Sequence, residues 1–365
     1  MLFTKKDLNF LSLMKFSATN KSLTGNKVQI KNINNSIIAS QISDKDVSVI
    51  SILKDKSGSL DVSLPTSEFF ELLSSFDDSA VFDIDKSCIR VNNSKYEFES
   101  LDFDNTSSVE KALLVLDSIK SNSELCQKIT INDLKKISLI KNYVGSDGLD
   151  VVGCMNNYFV ASNRTDVTAC IKLENEIDKE FFIPKQMADV INFLHLDTIE
   201  YYITNEFHFF VADEIIVIFP LPINGYSLSN IFDDSIKEAY DHPYMCTVNK
   251  EEFKTVIKRI SILARNNADT RIFVMFYENE LVIESKDSGY AIEKINAITS
   301  KELNSHYVIL SANYINSILN LLTGDTVCIF AIPDKDAVAV KIDDDKKNMF
   351  FVHCLYYYPD DSEKE

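Results

Sequence analysis

The sequence predicts an α+β chain of three tandem units, each an antiparallel sheet with two helices on one face. Three observations carry that expectation. A helical pattern recurs at 5–16, 131–143 and 249–265, a second recurs at 64–76, 183–194 and 310–322, and an alternating apolar stretch follows each second helix. The units are expected at 1–123, 124–242 and 243–365.

The first helices are KKDLNFLSLMKF, INDLKKISLIKNY and NKEEFKTVIKRISILAR. Each sets a polar and then an acidic residue before an apolar i, i+3, i+4 pattern. Thr130 or Asn132 can cap the middle copy, and Asn249 with Glu252 has capping-box spacing in the third. Leu8, Leu134 and Phe253 lie 126 and 119 residues apart. A strand-rich block comes next in each unit, such as RIFVMFYENELVIES (271–285) with its polar ENE turn. The second helices open on Pro or Ser, and Pro65, Pro184 and Ser311 are offset by 119 and 127. Meanders at 80–100, 198–221 and 326–355 close the units. In the second, Ile199, Tyr201 and Ile203 alternate with polar neighbours before a TNE turn. The charged tail 360–365 is expected to fray.

With 365 residues, 45% hydrophobic and 25% charged, the composition is that of a soluble globular chain long enough for two or three domains. Thirty-seven Lys and Arg against 55 Asp and Glu give −18, a surface that repels DNA and anionic membranes unless basic residues cluster locally. Only 8 Gly occur, and neither a G-x-G-x-x-G nor a P-loop pattern is present. Seven scattered cysteines without C-x-x-C fit reduced thiols, and neither a signal peptide nor an 18-residue apolar run occurs, so a cytoplasmic location is expected.

Positive charge concentrates on one element. Lys250, Lys254, Lys258 and Arg265 share an arc of the third unit's first helix, beside an apolar face of Phe253, Val256, Ile257, Ile260 and Leu263. The equivalent helices carry Lys135, Lys136 and Lys141, and Lys5, Lys6 and Lys15. One such helix is ordinary solvation, whereas three in phase point to a shared surface. Lysine point charges suit sequence-independent phosphate contact better than base readout.

Catalytic signals are weak. Asp83-Ile84-Asp85 has Ser87 where a D-x-D-x-T phosphatase pattern needs Thr, and fails as a calcium loop at Cys88 and Ser94. The five histidines show no paired metal spacing, and no nucleophile elbow occurs. No enzyme, metal or cofactor is expected.

Three units of this order, with a basic stripe on the same helix of each, resemble the bacterial-type sliding clamp, the β subunit of the replicative DNA polymerase. The residues nearest that family are EEFKTVIKRISILAR (251–265), VASNRTDVTAC (160–170) and FPLPINGYSLSNIF (219–232). The last two resemble V-A-T-D-G-H-R-L-A-V-C and the D-G-x-F-P-D-Y segment. Arg164-Thr165-Asp166-Val167 stands where G-H-R-L is expected, and Ser227-Leu228-Ser229-Asn230 replaces F-P-D-Y. FFVHCLYYY (350–358) aligns with the terminal V-M-P-M-R-L strand without its Pro, Met and Arg. A divergent, phage-encoded member is implied, and the Lys- and Asn-rich composition with five Arg fits an AT-rich genome.

The resemblance implies a head-to-tail homodimer, a ring of six domains around duplex DNA that tethers a DNA polymerase and is placed by a clamp loader. It implies a pocket for hydrophobic peptides at Val167, Leu228, Ile231, Val352, Cys354 and Leu355. It also implies a subunit interface in which Tyr96 and Phe98 meet an edge strand around Ile272 and Val274. Other readings are a clamp-fold platform for transcription or repair, a hydrolase using Asp83 and Asp85, and a structural repeat protein.

Overall fold

The computed structural model describes residues 1–9, 11, 14, 27–41, 48–86, 88–98, 110, 112–114, 116–117, 124–145, 151–163, 167–177, 180–184, 198–203, 207–212, 215–220, 245–263, 271–285, 290–331, 339–344 and 349–354. The first and third repeats share one element order, strand, helix, four strands, helix, three strands, and the described elements of the middle repeat follow the same sequence of strands.

The first repeat runs β1 (Leu2–Thr4), α1 (Lys5–Asn9), β2 (Lys27–Ile33), β3 (Ser36–Gln41), β4 (Ser48–Leu53), β5 (Asp61–Pro65), α2 (Thr66–Ser74), β6 (Val81–Asp85), β7 (Cys88–Val91) and β8 (Ser94–Glu97). The second has β9 (Glu124–Thr130), α3 (Ile131–Lys135), α4 (Ile137–Ile140), β10 (Val151–Met155), β11 (Tyr158–Ser162), β12 (Val167–Lys172), β13 (Phe181–Pro184), β14 (Thr198–Ile203), β15 (Phe207–Ala212) and β16 (Ile215–Pro220). Its second helix, expected at 183–194, lies outside the described residues beyond Pro184. The third comprises β17 (Met245–Asn249), α5 (Lys250–Leu263), β18 (Arg271–Phe276), β19 (Glu280–Ser285), β20 (Ala291–Thr299), β21 (Tyr307–Ser311), α6 (Ala312–Leu321), β22 (Thr326–Phe330), β23 (Ala339–Asp344) and β24 (Met349–Cys354).

Each first helix starts from the same device. Thr4 Oγ1 accepts from the Asp7 amide at 3.1 Å, Thr130 Oγ1 from the Asp133 amide at 3.2 Å, and Asn249 Oδ1 from the Glu252 amide at 3.0 Å. Asp7 completes a capping box by accepting from the Thr4 amide at 2.9 Å. Burial opposes the charge on Asp7, but the Thr4 hydrogen bonds and the Lys56 ammonium outweigh it and lower its pKa. The middle first helix is interrupted: α3 and α4 are short, and Lys141–Tyr143 is a 3-10 turn. Its buried side chains, Leu134, Ile137, Ile140 and Tyr143, recur every third residue, a spacing that tighter winding aligns on one face. In α5 the buried set Phe253, Val256, Ile257 and Ile260 has α-helical spacing, and that helix is continuous.

All strand pairings among the described residues are antiparallel, and a two-residue Asn-Asn turn closes three hairpins. Asn34 and Asn35, Asn156 and Asn157, and Asn92 adopt positive φ (51°, 61°, 47°, 64° and 54°), which asparagine tolerates better than most residues. The strands β5-β2-β3-β4 join β16-β15-β14-β9 through β4 and β16, with Ser51 opposite Ile215. In the same way β13-β10-β11-β12 joins β24-β23-β22-β17 through β12 and β24, with Ile171 opposite Met349. β17 then pairs with β20 at the end of β20-β19-β18-β21. The set β1-β6-β7-β8 forms a sheet of its own.

The chain divides into two compact units. Met1–Lys135 with Gln186–Ile223 is one, and Lys136–Lys185 with Asn224–Glu365 is the other, so the middle repeat gives strands to both. The first unit is packed around Ile38, Ile50, Phe209, Ile216 and Ile218, over Ala112 and Leu116. In the second, Phe253, Ile257 and Ile260 of α5 are fully buried with Ile315 and Ile318 of α6. Among the described residues no helix is long and apolar enough to cross a membrane.

Candidate functional site

The lysines proposed from the sequence fall into two classes. In the first, the amine is engaged inside the fold. Lys250, at the first position of α5, donates to the Leu322 carbonyl at the C-terminus of α6 at 3.1 Å, and its side chain is only 14% exposed. Lys5, at the first position of α1, donates to the Phe76 carbonyl just beyond α2 and sits 3.5 Å from Asp78. The two contacts are repeat-equivalent, each tying the start of one helix to the end of the other, where a cation meets the negative end of the helix dipole. In the middle repeat the position is Ile131, while Lys136 donates to the Lys172 carbonyl at 3.1 Å and lies 3.5 Å from Glu174. Of the others, Lys135 and Lys258 are exposed, and Lys254 and Lys141 are half-buried. Lys6 lies in α1; Lys15 and Arg265 lie outside the described residues.

Around Val167 the structure brings together three of the six expected pocket residues. Val167 opens β12 opposite His353, so Val352 and Cys354 of β24 flank that rung. Leu228, Ile231 and Leu355 lie outside the described residues. Val167 itself is 1% exposed and fills the core. The accessible groups beside it come from residues the sequence reading did not select. Asn163 accepts from the Val167 amide at 2.9 Å and donates through Nδ2 to the Tyr314 hydroxyl at 3.3 Å, tying the end of β11 to α6. The Tyr143 ring packs against Phe351 with centres 5.4 Å apart, and burial raises its phenol pKa. The arrangement is a buried apolar strand start, with Tyr143 buried nearby and the half-buried Asn163 and Tyr314 at its rim.

The interface residues also divide. Tyr96 lies in β8, half-buried against the Phe76 ring at 6.0 Å, and Phe98 follows the strand, half-buried. The far edge of β8 pairs with no described strand. Ile272 and Val274, expected near an edge, lie in β18, which is hydrogen-bonded to β19 on one side and β21 on the other. Both are fully buried, so they cannot form an edge contact. Besides the terminal strand β21, an unpaired edge among the described residues lies on β20 over Ala291–Asn296, whose other side pairs with β19. Beside it Tyr290 and Ile292 are 69% and 47% exposed.

No family model matches the chain, and no curated protein matches it either. Solved structures do. The DNA polymerase sliding clamp of Pseudomonas aeruginosa superposes with a TM-score of 0.81 at 11% identity, covering 98% of this chain and 99% of that one. The chain has the sliding-clamp fold. The clamp of Caulobacter crescentus gives 0.78 at 11%, and that of Bartonella birtlesii 0.77 at 13%, both over 98% of this chain and 99% of theirs. The clamp fold persists at such identity because it needs alternation along strands and caps at helix starts, and many residues satisfy both. Within it, the signal for the missed rim residues was present: Tyr314 sits three positions after the Ser311 cap, and Asn163 ends an apolar strand.

Proposed function

We propose that this chain is a non-catalytic sliding clamp, a ring of two copies joined head to tail around duplex DNA that tethers a polymerase through a hydrophobic peptide-binding pocket and is loaded by a clamp loader. The observation that carries the reading is the pattern of strand edges. Two joints, β4 with β16 and β12 with β24, are made within the chain, and the equivalent strands β20, over Ala291–Asn296, and β8 each keep one edge unpaired among the described residues. An unpaired edge seeks pairing, and a second copy supplies the complementary one. Three units per chain, divided near 123 and 242, then give six domains.

The DNA-facing charges in this reading are Lys135, Lys141, Lys254 and Lys258, with Lys6, Lys15 and Arg265. Lys5, Lys136 and Lys250 hold the fold instead. A few screened lysines permit sliding where tight contacts would hinder it. The pocket in this reading comprises Val167, Val352, Cys354, Leu228, Ile231 and Leu355 with Tyr314 and Asn163 at its rim. Negative-stain imaging with sedimentation tests the proposal: an annulus with a central hole at twice the 41.5 kDa chain mass supports it. A monomer that is never retained on closed circular DNA overturns it.

A further inference from the structure

The inference rests on the ring reading and concerns the joint between copies. Counting along hairpins from the helix starts makes Ser51, Ile171 and Glu293 equivalent strand positions, and likewise Ser94, Ile215 and Met349. The two joints inside the chain share one register in these terms, Ser51 opposite Ile215 and Ile171 opposite Met349. Ser51 is fully buried and Ile171 is 5% exposed. At the third position the chain places a carboxylate instead, and holds it: Arg259 Nε on α5 donates to Glu293 Oε1 at 2.8 Å, and a second guanidinium nitrogen contacts Oε2. The bidentate pair lowers the Glu293 pKa and spans from the lysine-bearing helix to the open strand edge.

We propose that the second copy's β8 pairs with β20 in the register of the internal joints, with Ser94 opposite Glu293 and Tyr96 opposite Ala291, and that Arg259 is the positioning residue that holds this edge for pairing. This joint would then be the charged one among joints that are otherwise uncharged at this rung. Such a device blunts the edge against indiscriminate strand addition while leaving it open to its own complement.

Two measurements on the full chain test the proposal. Oxidation of a Tyr96→Cys, Ala291→Cys variant should give a covalent dimer, because directly opposed residues in an antiparallel pair approach closely enough to bridge. Tyr96→Cys with Ile292→Cys, shifted by one rung, should not, nor should either single variant. In sedimentation across a dilution series, Arg259→Gln and Glu293→Gln should each weaken dimerisation roughly threefold to tenfold, with the thermal midpoint of the dilute monomer unchanged. The exchanged pair Arg259→Glu, Glu293→Arg should recover most of that loss. Cross-linking in the shifted variant only, single variants that dimerise like the native chain, or an exchange no better than the worse single variant would overturn the proposal. A native chain that stays monomeric throughout the series would overturn the ring reading and this joint with it.

Discussion

Replacing Lys250 and Lys258 separately by Met should divide fold from function on one helix. Lys250 donates to the Leu322 carbonyl at 3.1 Å from a side chain only 14% exposed, with Glu251 4.0 Å away in solvent. A charge-assisted hydrogen bond contributes about 1.5–3 kcal/mol when well shielded, and a cation at a helix C-terminus about 0.3–1 kcal/mol. Leu322 ends its helix near the surface and the Glu251 pair adds little, so Lys250→Met should cost about 1–2 kcal/mol. Lys258 is exposed, and its loss should leave stability within about 0.5 kcal/mol. Binding to a duplex should show the opposite order. Each phosphate contact contributes about 0.9 to the slope of log K against log salt, so a ring losing one contact per copy should lose about 2 from that slope. Lys258→Met should show this loss and Lys250→Met should not. The measurements are urea unfolding and anisotropy of a labelled duplex across salt. If Lys250→Met flattens the slope as much as Lys258→Met and unfolds like the native chain, the division of the lysines is wrong.

Further outcomes follow from the same geometry. Thr4→Ala removes the hydroxyl that accepts from the Asp7 amide and should lower stability by about 1 kcal/mol in urea unfolding, as should Thr130→Ala. Burial pushes the Cys246 thiol up to about 11, so at pH 8 it should resist alkylation until the chain is unfolded, as mass spectrometry of labelled peptides would reveal. Tyr314→Ala should weaken binding of a short hydrophobic peptide at least fivefold, read by calorimetry, while duplex binding is unaffected. The Asp7 carboxylate is held below its ordinary value, so its stabilisation is complete above about pH 5 and is lost as pH falls through the folded value. The thermal midpoint should therefore drop on acidification, and less steeply in Asp7→Asn.

The repeats were legible in the sequence because their markers are local. Thr4, Thr130 and Asn249 stand at the offsets read from Leu8, Leu134 and Phe253, and β5, β13 and β21 end at Pro65, Pro184 and Ser311, as the helix-opening residues indicated. The interruption in the middle first helix was also written in its three-residue spacing, which a search for i, i+3, i+4 absorbs without notice. The Asn-Asn hairpins were missed although two adjacent asparagines between strands carry the turn signal. The rest depends on distant partners. The carbonyls that take the Lys5 and Lys250 amines are 71 and 72 residues away, and alternation along a strand reveals its faces but not its neighbours. That is why β18 looked as eligible for an edge as β20. Val167 and β24 were brought together only by the resemblance, since nothing local links residues so far apart.

The sharing of the middle repeat between two compact units has a consequence for synthesis on the ribosome. The repeat that the sequence copies is not the piece that folds. Strands β10 to β13 are made by residue 184, yet the edge of β12 away from β11 has no partner until β24 emerges about 165 residues later. At typical elongation rates of about 5–20 residues per second, that edge stays bare for roughly ten to thirty seconds. β4 waits a similar distance for β16. A chain cut between repeats would keep such an edge exposed permanently, so a fragment that preserves a whole copy of the repeat should be a poorer soluble domain than one cut to preserve a joined sheet.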